Sequence, residues 1–185
     1  MSFLIVFLAA IVILILYVIK IYNGLISLRV QVENAWSQID VQMKRRHDLI
    51  PNLVEAVKGY MKYEQETLTK VMEARAKAVS VTTLPDKAKA EGELTGALKS
   101  LFALFENYPD LKANQNVLSL QEEISTTENQ IAFSRQHYND SVMFYNTKIQ
   151  VFPSNIIANI FNFTKRDFFE APEEEKAVPK VDLKF

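Results

Sequence analysis

The chain has 185 residues, 49% of them hydrophobic, with 21 basic against 22 acidic side chains and a formal net charge of −1. That length makes one domain with a full core, and the near-neutral charge argues against a general nucleic-acid binder. The absence of cysteine excludes disulfides, thiolate metal sites and a cysteine nucleophile, and four glycines with six prolines are too few for a β-sandwich or a glycine-rich nucleotide-binding fold.

The first element is an apolar run. Residues 3–19 contain no charge, proline or glycine. As a helix they extend roughly 26 Å, just enough for a hydrocarbon core of ~30 Å. Tyr17 and Tyr22 stand where an aromatic belt belongs, and Lys20 is placed to snorkel to the headgroups. A cleaved signal peptide needs a basic n-region and a small-residue cleavage site, and neither is present. Residues 1–21 are therefore expected to be a retained transmembrane anchor. Lys20, Arg29 and Lys44-Arg45-Arg46 all follow the span and none precedes it. The positive-inside rule then places the N-terminus outside and the rest in the cytoplasm.

Beyond the anchor the apolar residues recur at helical intervals. Leu25, Leu28, Val32, Trp36, Ile39 and Met43 form one series, and Ile50, Val54, Val57, Met61, Leu68, Met72, Ala76 and Val79 extend it. Asp48 as a cap and Pro51 in a first turn suggest one helix ending near Arg46 and a second from about Leu49 to Val79. A single helix kinked at Pro51 is the alternative, because the phase barely breaks there. Residues 80–86 read as a loop, Leu94, Leu98, Leu101, Phe105 and Tyr108 mark a third helix, and Asn107-Tyr108-Pro109-Asp110 is a break. A fourth helix carries the thread Val117, Ile124, Ile131, Tyr138, Tyr145 and Phe152, with Thr127, Ser134 and Ser141 small enough for close helix approach. The expected fold is all-α: a transmembrane helix continuing into an antiparallel up-down four-helix bundle over residues 22–152.

Residues 153–170 are rich in Phe and Ile. A short helix here either closes the open end of the bundle or lies at the headgroup boundary, with Lys20, Tyr22, Ile157, Phe161, Lys165, Arg166 and Phe168 at the membrane interface. The Glu/Pro/Lys-rich tail, residues 171–185, carries too little apolar surface to fold and is expected to be disordered.

No residue pattern marks a reaction centre. His47 and His137 are the only histidines, and neither has a glutamate three residues before it, as a di-metal bundle site requires. Arg46-His47-Asp48-Leu49 lacks the residue order and accompanying motifs of a kinase loop, and a solvated or capping role is expected for His47. No catalytic, metal or cofactor residue is assigned. Trp36 reads as core. Lys44, Arg45, Arg46, Asp48 and Asn52 read as a partner-binding surface; a buried network that fixes helix register is the other reading for Asp40, Arg45, Arg46 and Asn52, and complementation of a helix dipole is the alternative for the three adjacent cations.

Several segments carry a resemblance. Tyr22-Asn23-Gly24-Leu25, the long run from Ala35-Trp36 to Leu53-Val54, and Val57-Lys58-Gly59-Tyr60 resemble the signature of the LemA family. So do Tyr108-Pro109-Asp110, Thr127-Glu128-Asn129-Gln130, Tyr138-Asn139, Tyr145-Asn146, Phe152-Pro153-Ser154-Asn155 and Phe168-Phe169-Glu170. Met43 stands where that pattern usually has Leu, and Asn162 where it often has Gly, which argues against a tight glycine turn there. The resemblance implies a single-span protein of the bacterial inner membrane with a helix-bundle domain, no established enzymatic activity and an accessory role in envelope maintenance. The expected partners are a lipid bilayer, from the apolar run, and further copies of the chain; the resemblance adds membrane proteins such as a membrane protease or a phosphatase-like protein. From these readings comes the expectation of a non-enzymatic membrane-anchored scaffold or adaptor. A lipid-binding or membrane-remodelling protein using the 156–169 segment as a wedge is the alternative.

Overall fold

In the computed structural model, which describes residues 2–170, the chain is all-helical, with no strand among the described residues. The helices are α1 (Ser2–Lys58), α2 (Gln65–Ser80), α3 (Leu84–Phe105), α4 (Pro109–Ala113), α5 (Gln115–Lys148) and α6 (Ser154–Ile160). The tail expected to be disordered, 171–185, lies outside the described residues. The described chain divides into two compact units, residues 2–39 with 133–168, and residues 40–132 with 169–170.

In the second unit the core is built from Ile50, Leu53 and Val57 of α1, Leu68 and Val71 of α2, Leu94, Leu98 and Leu101 of α3, and Val117 and Ile124 of α5. Leu111 of α4 joins it. Each such side chain contributes roughly 1.5–3 kcal/mol when fully buried. The helix ends follow from local chemistry. The Thr83 hydroxyl accepts the Asp86 amide at the start of α3 while donating to the Asp86 carboxylate at 2.6 Å, and Pro85 occupies the first turn. Asn114 Oδ1 accepts the amide of Asn116 at 3.0 Å and that of Val117 at 3.4 Å at the start of α5.

The expected division at Arg46 is not where the chain breaks. α1 runs through His47 and Pro51 to Lys58, and the break falls at 59–64. Proline inside a helix removes the amide that would bond the carbonyl four residues earlier. Here that carbonyl belongs to His47, and Arg75 Nε of α2 donates to it at 2.6 Å. A guanidinium from the next helix thus supplies the hydrogen that Pro51 lacks. The loop expected at 80–86 shortens to 81–83, because Leu84, Pro85 and Asp86 form the first turn of α3.

In the first unit the buried residues include Leu25, Val32, Ala35 and Ile39 of α1, Ser134, Tyr138, Val142 and Tyr145 of α5, Ile149 just after it, and Ile157 and Ala158 of α6. Trp36 packs edge-on against Tyr138, ring centroids 5.7 Å apart. Before them, residues 3–17 of α1 are exposed throughout. α1 is the one helix among the described residues long and apolar enough to cross a membrane. The α5 thread ends sooner than expected: Phe152 lies past the end of the helix and is 80% exposed.

Past the cis Phe152–Pro153 peptide, α6 ends in a left-handed turn at Asn162, φ 55°. The Phe163 amide bonds the Ala158 carbonyl at 2.9 Å and the Asn162 amide bonds that of Asn159 at 3.4 Å, the paired bonds of a Schellman cap. A tight turn therefore exists where the sequence argued against one. Asparagine adopts the left-handed conformation more readily than other residues with a side chain.

Candidate functional site

Two constellations collect the polar residues. The first is buried in the second unit. Arg46 sits on the core phase of α1, three residues after Met43 and four before Ile50, and is 1% exposed. Its guanidinium donates to the Glu91 carboxylate and, at 3.0 Å, to the Thr95 hydroxyl, both on α3. His47 Nε2 lies 2.7 Å from the other Glu91 oxygen. Burial alone pushes the Glu91 carboxyl up, but the His47 hydrogen bond and the charge of Arg46 outweigh it and hold the group below the usual carboxylate range. A buried charge unpaired costs several kcal/mol, so the cluster fixes the register of α1 on α3.

This placement corrects two expectations. Arg46 is not part of an exposed partner-binding surface, and His47 is not solvated: both are buried ion-cluster residues within α1. The other members of that set are exposed. Arg45 pairs with Glu123 of α5 at 3.4 Å. Lys44, Asp48 and Asn52 are exposed and follow one another at i, i+4 and i+8, which sets them on one stripe of α1. On the same helix, Asp40 pairs with Lys87 of α3 at 3.0 Å.

The second constellation is a clasp in the first unit. After the Asn162 turn the chain runs extended along α5, tied by three side chains. Asn146 grips the Arg166 backbone from both sides, Nδ2 donating to its carbonyl at 2.8 Å and Oδ1 accepting its amide at 2.9 Å. The Tyr145 hydroxyl donates to Thr164 O at 3.0 Å and that of Tyr138 to Asp167 O at 2.9 Å. Burial raises both phenols, so both are neutral donors. The turn itself meets α1: the Tyr22 ring lies 4.7 Å from Phe161 and 5.8 Å from Phe163, centroid to centroid. Arg29 stands over the Phe163 ring at 5.7 Å, and Glu33 reaches Arg166 at 3.5 Å.

Of the residues assigned to a membrane interface, the clasp brings Tyr22 and Phe161 together. Lys20 and Lys165 are exposed. Arg166 is tied to Glu33, Ile157 is only 7% exposed and belongs to the protein interior, and Phe168 follows Asp167 at the Tyr138 end of the strap. Tyr138, Tyr145 and Asn146 were not singled out by sequence reasoning as a binding set. The available signal was a pair of tyrosines in an otherwise apolar thread, since a buried hydroxyl needs a partner. Among the described residues, no group of three or more His, Asp or Glu is placed to hold a metal ion.

Comparison with known proteins adds the following. The family model described as LemA family matches residues 35–183. Protein LemA of Metamycoplasma hominis is 32% identical, with the match covering 83% of this chain and 71% of that protein. Magnetosome protein MamQ 2 of Paramagnetospirillum magneticum is 22% identical over 80% of this chain, and MamQ of Magnetospirillum gryphiswaldense is 21% identical over the same share. The chain spans 64% of the length of either magnetosome protein.

Proposed function

This chain belongs to the LemA family, and from that premise we propose that it is a non-enzymatic, membrane-anchored helical scaffold that binds other membrane proteins and self-associates. The observation that carries this reading is α1 itself. Its first residues are an apolar, fully exposed run long enough to span a bilayer, and the same helix continues without a break into ion-paired, core-forming turns. A helix that is apolar on every side needs a nonpolar solvent around it. One helix then serves as both anchor and display.

We read the four long helices as an antiparallel up-down bundle. The Arg75 bond to the His47 carbonyl and the three-residue connection between the adjacent α2 and α3 support that order. Its buried polar side chains hold helices together: Arg46 and His47 of α1 are buried against Glu91 of α3. The partner surface we assign to the exposed α1 stripe of Lys44, Asp48 and Asn52, with Arg45 beside it. In keeping with the positive-inside rule, the bundle faces the cytoplasm from the bacterial inner membrane, in a role of envelope maintenance.

The test is photo-crosslinking in intact membranes, with a photoreactive residue at Lys44, Asp48 or Asn52 and a reference at exposed Tyr63. Discrete adducts to a membrane protein or to a second, differently tagged copy are expected from the stripe. A stripe that gives no more adducts than Tyr63 contradicts the assignment.

A further inference from the structure

We propose that α6 and the turn after it lie in the headgroup layer of the bilayer that α1 crosses, so that the chain meets its membrane twice, by a span and by an interfacial apolar ridge. The inference rests on α1 being a membrane span and adds a second contact that a span alone does not require.

Three observations lead there. First, α6 is apolar on both sides. Ile157 and Ala158 are buried against the protein, while Ile156 and Ile160, at i and i+4, point outward and are 49% and 63% exposed. Phe161, next in sequence, is 51% exposed. A short helix facing water carries polar residues on that side, and a run of exposed Ile and Phe marks a surface that meets something apolar.

Second, the span sets the depth of the ridge. Phe161 packs against Tyr22 at 4.7 Å, and Tyr22 follows the last residue of the apolar run, Ile19, by three positions. At 1.5 Å per residue this is a rise of ~4.5 Å. The headgroup region on each side of the ~30 Å hydrocarbon core is roughly 5–7 Å thick. If residues 3–19 fill the core, the Tyr22–Phe161 contact falls within that layer. Aromatic rings are enriched at this depth.

Third, the polar complement suits a headgroup layer. Asn155, Asn159 and Asn162 are uncharged, and exposed Lys20 and Lys165 flank the ridge. Arg166 is occupied by Glu33, so attraction to lipid phosphates falls to the two lysines. Phe168 is excluded: Asp167 is tied to Tyr138, seven residues along α5 from the Tyr145 that ties Thr164, or ~10 Å away.

The chain contains no cysteine, so single substitutions can be labelled without background. Ile156→Cys and Ile160→Cys, both outward-facing, carry an environment-sensitive fluorophore in the full-length chain. The variants are reconstituted in vesicles of phosphatidylcholine with phosphatidylglycerol, with nitroxide lipids as quenchers. Ile11→Cys is the span reference and Tyr63→Cys the water reference. A headgroup nitroxide is expected to quench both α6 positions several-fold more than Tyr63→Cys, and a nitroxide deep in the acyl chains only Ile11→Cys. Deep quenching at Ile11→Cys with α6 positions no different from Tyr63→Cys overturns the interfacial ridge and leaves the anchor standing. Deep quenching at α6 equal to that at Ile11→Cys also overturns it. No quenching at any position overturns ridge and anchor together.

Discussion

Replacing Arg75 by leucine removes the donor that serves the His47 carbonyl while keeping an apolar stem of similar reach. The bond is short, 2.6 Å, and charge-assisted. A hydrogen bond to a charged group contributes roughly 1.5–3 kcal/mol, and the carbonyl left behind has no helical donor because residue 51 is proline. Arg75 is only half-buried, so water replaces part of the loss, and a cost of about 2 kcal/mol is expected. At ~2–4 °C per kcal/mol for a chain of this size, the melting temperature falls by about 4–8 °C. The decisive step is a double-mutant cycle with Pro51→Ala, measured by thermal loss of the helical circular dichroism signal of the full chain in detergent micelles. Pro51→Ala restores an amide that bonds the His47 carbonyl within α1. In that background Arg75→Leu should cost less than ~1 kcal/mol, a coupling well beyond the ~0.5 kcal/mol expected of independent sites. Equal costs of Arg75→Leu in both backgrounds would refute the pairing of guanidinium and proline.

Other consequences follow from the same contacts. Glu91 has its carboxyl depressed in the folded chain, so its stabilisation is complete above the ordinary carboxylate range and is lost as pH falls through the lowered value. An acid titration of helicity should therefore flatten on that limb in Glu91→Gln, which is also about 3–5 kcal/mol less stable at neutral pH because Arg46 stays buried without its counter-ion; an unchanged acid limb contradicts the role given to Glu91. Asn162→Gly should keep or slightly raise the melting temperature, whereas Asn162→Val should cost about 1–2 kcal/mol for a left-handed β-branched residue; the reverse order would show that the turn does not govern stability there. Asn146→Ala removes both bonds to the Arg166 backbone, and hydrogen exchange at the Arg166 amide should accelerate at least tenfold while α2 amides keep their rates. Equal protection in the variant would deny the clasp.

Periodicity revealed most of the core where a helix is continuous. Leu25, Val32, Ile39, Met43, Ile50 and Val57 were read from three- and four-residue intervals and are all buried, as are Leu94, Leu98, Leu101 and Phe105 on α3. It failed where the phase was carried across an unseen break. Counting on from Met61 through α2 selected Leu68, Met72, Ala76 and Val79, but the chain reorients at 59–64 and the buried positions are Leu68, Val71 and Ala78. Gly59 with Tyr60 and Tyr63 offered a signal of that break, and Pro51 was the louder but misleading one. Its effect on the helix is decided by Arg75, twenty-four residues away in sequence, which no local pattern shows.

The polar clusters were harder to read for the same reason. Arg46 stands on the core phase of α1, yet a charge on an apolar face is readily taken for a surface residue until its counter-ion is known. That counter-ion, Glu91, lies on a different helix. Tyr138 and Tyr145 were read by their rings as apolar thread, while their hydroxyls and Asn146 act on backbone atoms 19 to 29 residues on. Side chain to backbone bonds of this kind carry no periodic signature.

The anchor is the premise on which scaffold and interfacial ridge both stand, and alkaline carbonate extraction of cell membranes tests it most directly. The full chain should stay with the sedimented bilayer and be released only by detergent. Its recovery in the carbonate supernatant would contradict the account.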